Sequence, residues 1–155
     1  MTRPFPVWGW LAILALVASG GAVVYGKTRG LRNNNPGNLR RSSTQWQGMT
    51  TTQSDPDFIQ FVSPEYGIRA LARVLQTYVA TGYKTVRQII TRWAPPTEND
   101  TNSYVNAVAS SLNVQPDTTL DMSRSLPSLV KAIIRHENGI QPYPDDLITR
   151  GISLA

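Results

Sequence analysis

Leu126-Pro127-Ser128-Leu129-Val130-Lys131-Ala132-Ile133-Ile134-Arg135-His136-Glu137-Asn138-Gly139 is the stretch on which the reading of this chain turns. Leu126, Leu129, Val130, Ile133 and Ile134 recur at the three- and four-residue steps of one buried helix face. Position 137 is the next member of that stripe, and it holds a glutamate. Asn138 and Gly139 follow at once, a helix-stop signal. An apolar wall disfavours a carboxylate anion, and so does the negative end of the helix dipole. A Glu that keeps its proton toward neutral pH is what a general acid needs. The chain has only three Glu, at 65, 98 and 137, so the choice of acid is narrow.

Length and composition exclude several chemistries. The 155 residues suit one domain with attachments. The chain has no Cys, which rules out disulfides, thiol catalysis and cysteine-metal sites. His136 is the single His, which argues against a zinc site, so neither metal nor cofactor is expected. No Gly-x-Ser-x-Gly elbow and no Gly-rich phosphate loop occurs. The net charge is +5, and Arg3, Lys27 and Arg29 meet no acid within residues 1–30. The remainder is only mildly basic, which fits a polyanionic surface such as a cell wall. Its basic residues form no dense run interleaved with aromatics, so nucleic acid is not an expected partner.

Residues 4–26 carry no charge. Residues 7–25 would span about 28 Å as a helix, close to a hydrocarbon core. Trp8 and Trp10 stand at one end and Tyr25 at the other, as interfacial anchors do. Residues 1–29 are therefore read as a membrane anchor, or signal segment, with its linker, and residues 30–155 as the working domain. Ala18-Ser19-Gly20 offers a signal-cleavage alternative. The favoured location is a single-pass protein of a virion membrane or host inner membrane. Lys27, Arg29 and Arg32 favour the cytoplasmic side for the domain, which opposes a role at the wall.

Beyond residue 27 the chain first reads as polar turns. Asn33-Asn34-Asn35-Pro36-Gly37-Asn38 is a dense turn signal. Phe58-Ile59-Gln60-Phe61-Val62 reads as a strand, paired with Trp46-Gln47-Gly48-Met49 in a small β-ribbon whose loop holds Asp55-Pro56-Asp57. Helices follow. Ser63-Pro64-Glu65 opens one that runs to about Ala80 with Ile68, Leu71, Leu75 and Tyr78 inward. Thr85-Val86-Arg87-Gln88 is a capping box for a second through Trp93, ended by Pro95-Pro96. Asp100 or Thr101 caps a third, residues 117–124 form a connector, a fourth spans residues 126–138, and a short last one starts at Pro144. The expected class is α+β, mostly helical.

Gly30-Leu31-Arg32-Asn33-Asn34-Asn35-Pro36-Gly37-Asn38-Leu39-Arg40 resembles the signature of a group of phage proteins. Virion structural proteins and lysozyme-like peptidoglycan-degrading enzymes are both found in that group. Trp46-x-Gly48, Phe58-x-x-Phe61, Tyr66-Gly67-Ile68-Arg69-Ala70, Arg92-Trp93-Ala94-Pro95, Glu98-Asn99-x-Thr101-x-x-Tyr104 and Glu137-Asn138-Gly139 complete the likeness. A more distant resemblance is to bacterial glucosaminidases of the lysozyme superfamily, where the catalytic Glu precedes an Asn-rich turn. Here an acid follows it instead, and residues 133–139 are similar to the I-x-x-E-S-G of lytic transglycosylases. The resemblance implies a lysozyme-like domain, circularly permuted, with the end of the 126–138 helix packed beside residues 33–48.

The resemblance implies cleavage of the peptidoglycan glycan strand, with Glu137 as acid. Glycosidases that use two carboxylates need a partner. Asp55 and Asp57 are candidates in the ribbon loop, and Glu98, after two prolines, is the alternative acid. Lytic transglycosylases manage with one Glu, and that type is favoured over a hydrolase. Asn34, Asn35 and Asn38 are most simply turn formers, and their amides are also candidates for binding N-acetyl groups. Trp46, Tyr78 and Tyr104 complete the candidate glycan contacts, with Trp46 the best stacking platform and the others commonly core. Glu65 reads as a helix-start acid. His136 reads as solvated, and Glu137 itself has a plain alternative, turned to solvent or paired with Arg135 or Arg150. Peptidoglycan, the lipid membrane through residues 7–25, and other virion proteins are the expected partners. The rival function is a non-catalytic virion membrane protein that uses the domain for wall binding or assembly.

Overall fold

A computed structural model describes residues 28–97 and 99–155 of the chain. Among these residues six helices carry the fold: α1 (Arg29–Arg32), α2 (Pro64–Ala80), α3 (Val86–Trp93), α4 (Thr101–Leu112), α5 (Met122–Asn138) and α6 (Asp145–Ser153). Helix α5 is central and packs against α1, α2, α4 and α6, while α3 lies against α2 and α4. Leu129, Val130, Ile133 and Ile134 of α5 are fully buried, as their spacing requires.

Local chemistry explains the boundaries. Pro64 opens α2 with its backbone angle already preset, and Glu65 sits in the first turn. Thr85 and Gln88 close a complete capping box at the start of α3. The Asp100 carboxylate accepts from the Ser103 N–H and starts α4. Helix α5 begins at Met122, four residues before the expected start, because Asp121 accepts from the Ser123 N–H and caps it. Pro127 then lies inside the helix, where it leaves the Ser123 carbonyl without its usual donor. The short helix α1 was not expected; Thr28 accepts from the Leu31 N–H and caps it.

The α+β class and its ribbon are corrected. Among the described residues there is no strand, only isolated antiparallel bridges, among them Arg40–Phe58 and Met49–Phe61. Side-chain amides occupy some of the backbone groups that a longer ladder would use. The Asn35 amide donates to the Leu39 and Ile59 carbonyls and accepts from the Leu39 N–H. Gln53 donates to the Gln60 carbonyl and accepts from the Gln60 N–H. The two segments that alternate as strands still meet through single backbone bonds, Thr50 N–H to the Gln60 carbonyl and Val62 N–H to the Gly48 carbonyl, but the side-chain bonds interrupt the ladder before it becomes a strand pair. The lysozyme-like α+β architecture expected from the resemblance is accordingly not what the described residues form. No helix among the described residues is long and apolar enough to cross a membrane. The expected span, residues 7–25, lies outside the described residues.

Candidate active site

The Asn-rich turn is built for close approach. Asn34 and Asn38 adopt left-handed backbone angles, φ 51° and 50°, which Asn tolerates better than most residues. The turn rests on two glycines. A Cβ on Gly67 of α2 would collide with the Asn34 carbonyl oxygen. A Cβ on Gly30 of α1 would collide with the Asn38 side chain and lie 2.8 Å from Asn138 Oδ1. Asn138, at the end of α5, seals the junction: its amide donates to the Pro36 and Ile134 carbonyls and accepts from the Thr28 hydroxyl at 2.6 Å.

Glu137 stands at the meeting point. Its side chain returns to the Asn-rich turn, as expected, and Asn38 Nδ2 donates to its Oε2 at 3.1 Å. Trp93 Nε1 on α3 donates to Oε1 at 3.1 Å, and the Tyr104 hydroxyl on α4 donates to the same oxygen at 2.9 Å. The residue is 9% exposed. It is neither turned to solvent nor paired with a cation among the described residues. Arg150 instead meets Asp146 and Glu65.

Burial pushes the Glu137 carboxyl above the ordinary glutamate value. The bonds from Trp93, Asn38 and Tyr104 favour the anion and oppose the rise without cancelling it. All three donors are neutral, and none replaces the hydration an anion loses on burial. Burial, followed by the adjacent Glu137 charge, pushes the Tyr104 phenol well above its usual range, so it stays a donor. The bonding pattern also distinguishes the two oxygens. Oε1 accepts two hydrogen bonds and Oε2 accepts one. A carboxyl oxygen has about two acceptor positions, so Oε2 is the oxygen with a position left open.

The remaining candidates scatter. For Asp55, burial opposes the anion, but bonds from Arg29, Asn33 and the Phe58 and Asp57 N–H groups outweigh it and hold the carboxyl well below the usual range. Asp57 is exposed and shares Arg29 with it. Both acids serve to pin α1 to the loop, and neither bonds to Glu137 or its partners. Glu98 lies outside the described residues. Glu65 sits in the first turn of α2 and faces Arg150. Asn35 is fully buried, and its amide is taken up within the turn; Asn34 donates to the Phe61 carbonyl. These two hold the turn. Asn38 and Tyr104, read as glycan contacts, bond to Glu137 instead. Tyr78 is core, 6.0 Å from the Tyr83 ring, with Arg92 over its face. Trp46 is half-buried at the edge of the core. No group of three metal-ligating side chains occurs among the described residues. Two open surface grooves, one holding Asn106 and Asn113 and one holding Lys131 and Arg135, are lined by neither Glu137 nor its partners.

Two members of the cluster escaped the sequence reading. Trp93 completes the apolar stripe of α3 and reads as packing. The available signal is its indole N–H, which needs an acceptor when buried. His136 reads as solvated, yet it is half-buried and stacked on Tyr104, ring centroids 3.5 Å apart and planes 13° from parallel.

Fold and site together define a helical domain built around one buried carboxylic acid at a helix end, held by neutral donors. No family model matches the chain. It is similar to Protein P5 of Pseudoalteromonas phage PM2, with 43% identity over 127 residues, covering 79% of each chain. The chain belongs to the family of that phage protein.

Proposed function

We propose that this protein cleaves the glycan strand of peptidoglycan with Glu137 as its general acid. The observation that carries the reading is a desolvated carboxyl with neutral donors only, two on Oε1 and one on Oε2. In the reaction, Oε2–H protonates the bridging oxygen between the two sugars, and the C1–O bond breaks as C1 gains oxocarbenium character. Glu137, now a carboxylate, takes the proton from the 6-hydroxyl of the muramyl sugar as that oxygen closes on C1. The products are a free 4-hydroxyl and a 1,6-anhydro end, and no water is consumed. This single-acid route, that of a lytic transglycosylase, is favoured over hydrolysis because Asp55 and Asp57 are both committed to Arg29. The likeness of residues 133–139 to the I-x-x-E-S-G of lytic transglycosylases, and of residues 30–40 to a phage group that includes peptidoglycan-degrading enzymes, supports the same reading. The uncharged run of residues 4–26 supports attachment to a lipid membrane, which retention in the pellet after a carbonate wash tests.

The test is wall clearing by the full-length protein. Glu137→Gln is expected to lose about 10²–10⁴ of the rate, the usual contribution of a general acid. Glu98→Gln is expected to keep it. One observation favours a second reading: the Glu137 carboxyl ties α3, α4 and the Asn-rich turn to α5. A protein that binds walls or other virion proteins without cleaving them would use the same group as a purely structural tie. Absence of clearing by the wild-type protein under all conditions would select that reading.

A further inference from the structure

We propose that His136 is a positioning residue for the acid: it holds the Tyr104 phenol against Glu137 Oε1 and so keeps the transferable proton on Oε2. The proposal rests on the reading of Glu137 as the acid. Tyr104 reaches the carboxyl from α4, and the face of its ring is covered by the His136 imidazole at 3.5 Å. His136 and Glu137 are neighbours on α5, so one helix end supplies both the acid and the clamp on its donor. With the imidazole removed, the phenol gains room to swing away from Oε1. Only Trp93 would then bond that oxygen, and the proton would divide between Oε1 and Oε2. An acid whose hydrogen points two ways delivers it less often toward the substrate.

The charge logic runs in the same direction. The titratable groups of the cluster are Glu137 and His136 on α5 and Tyr104 on α4; α3 contributes the neutral Trp93 and the turn the neutral Asn38. No Lys, Arg or Asp among the described residues bonds to any of the three. Arg135 is exposed and lines the groove on the outer side of α5. Burial holds His136 below the ordinary histidine value, so the stacked ring is neutral near pH 7. A proton on His136 would place a cation against the phenol, strengthen its bond to the carboxylate and oppose the proton on Glu137. The two groups therefore compete for protons and titrate as a pair.

The experiment is a carbon-13 titration of the Glu carboxyls in the full-length chain. Three Glu give three signals, and Glu137→Gln identifies the one of interest. Tyr104→Phe is expected to raise the proton affinity of Glu137 about tenfold, the size of one hydrogen bond to an anion. His136→Ala is expected to raise it comparably, and the double variant to add nothing further, because both act through one bond. His136→Phe keeps the stack and removes the charge. It is expected to keep the main Glu137 step and lose the weaker inflection in acid. The proposal is overturned if His136→Ala titrates as wild type while Tyr104→Phe shifts, or if the two shifts add. Should His136→Ala not fold, His136→Phe decides, and an acid inflection that survives it overturns the proposal. None of these readings needs turnover, so loss of the glycosidase reading and loss of this one are separately visible.

Discussion

At Glu137 an indole N–H, a phenol O–H and a primary amide meet one carboxyl, and no cation among the described residues does. Asp55 has the opposite surroundings, a guanidinium and several N–H donors. The two acids therefore shift in opposite directions and leave opposite marks on stability. For Glu137 the folded chain binds the proton more tightly than the unfolded chain. That contribution is complete below the ordinary value of 4.5 and is lost as pH rises through the folded value. Glu137→Gln has no proton to lose. Denaturant titrations should therefore show the variant gaining on wild type as pH rises above 4.5; a constant difference would contradict this. For Asp55 the contribution is present above the ordinary 3.8 and is lost as pH falls through the lowered value. Asp55→Ala should cost about 1–3 kcal/mol at pH 7, from the donors it leaves unmet. The Arg29 share of that is small, because its side chain is 39% exposed. The cost should shrink in acid. Glu137 was legible in the sequence as an acid on an apolar stripe. His136 was not, because helical periodicity describes one helix and says nothing of a ring that a neighbouring helix lays over its flank.

Helices were the legible elements, and the reason is local. Pro64, the Thr85–Gln88 box and Asp100 each satisfy the first-turn N–H groups, or dispense with one, within a few residues. Thr85→Ala should accordingly cost about 1 kcal/mol in thermal or chemical unfolding. The start of α5 falls before the expected one because the cap is Asp121, inside the stretch read as a connector. The ribbon was misjudged because alternation in Phe58-Ile59-Gln60-Phe61 does not reveal that Gln53, Gln60 and Asn35 will take several of the backbone groups themselves. Between elements, tolerance is set by contact distance. Gly67→Ala forces a methyl against the Asn34 carbonyl and should destabilise by about 1–3 kcal/mol or more. Gly82→Ala, at a glycine with open space around it, costs only the strain of its positive φ and serves as the comparison.

Across the whole molecule, segments around residues 38, 93, 104 and 137 converge on one carboxyl. No periodicity or cap predicts such convergence. The meeting of Asn38 with Glu137 was expected only from the order of motifs, and the parts played by Trp93 and Tyr104 come from the packing of α4 on α5 and of α3 on α4. The same convergence serves a structural tie or a proton donor, and chemistry separates the two. The most direct measurement is the product of the full-length protein acting on purified peptidoglycan, resolved by mass spectrometry. The account predicts soluble muropeptides ending in 1,6-anhydro sugars from the wild-type protein, and none above background from a folded Glu137→Gln. Equal release by both proteins, or no release by either, would contradict it.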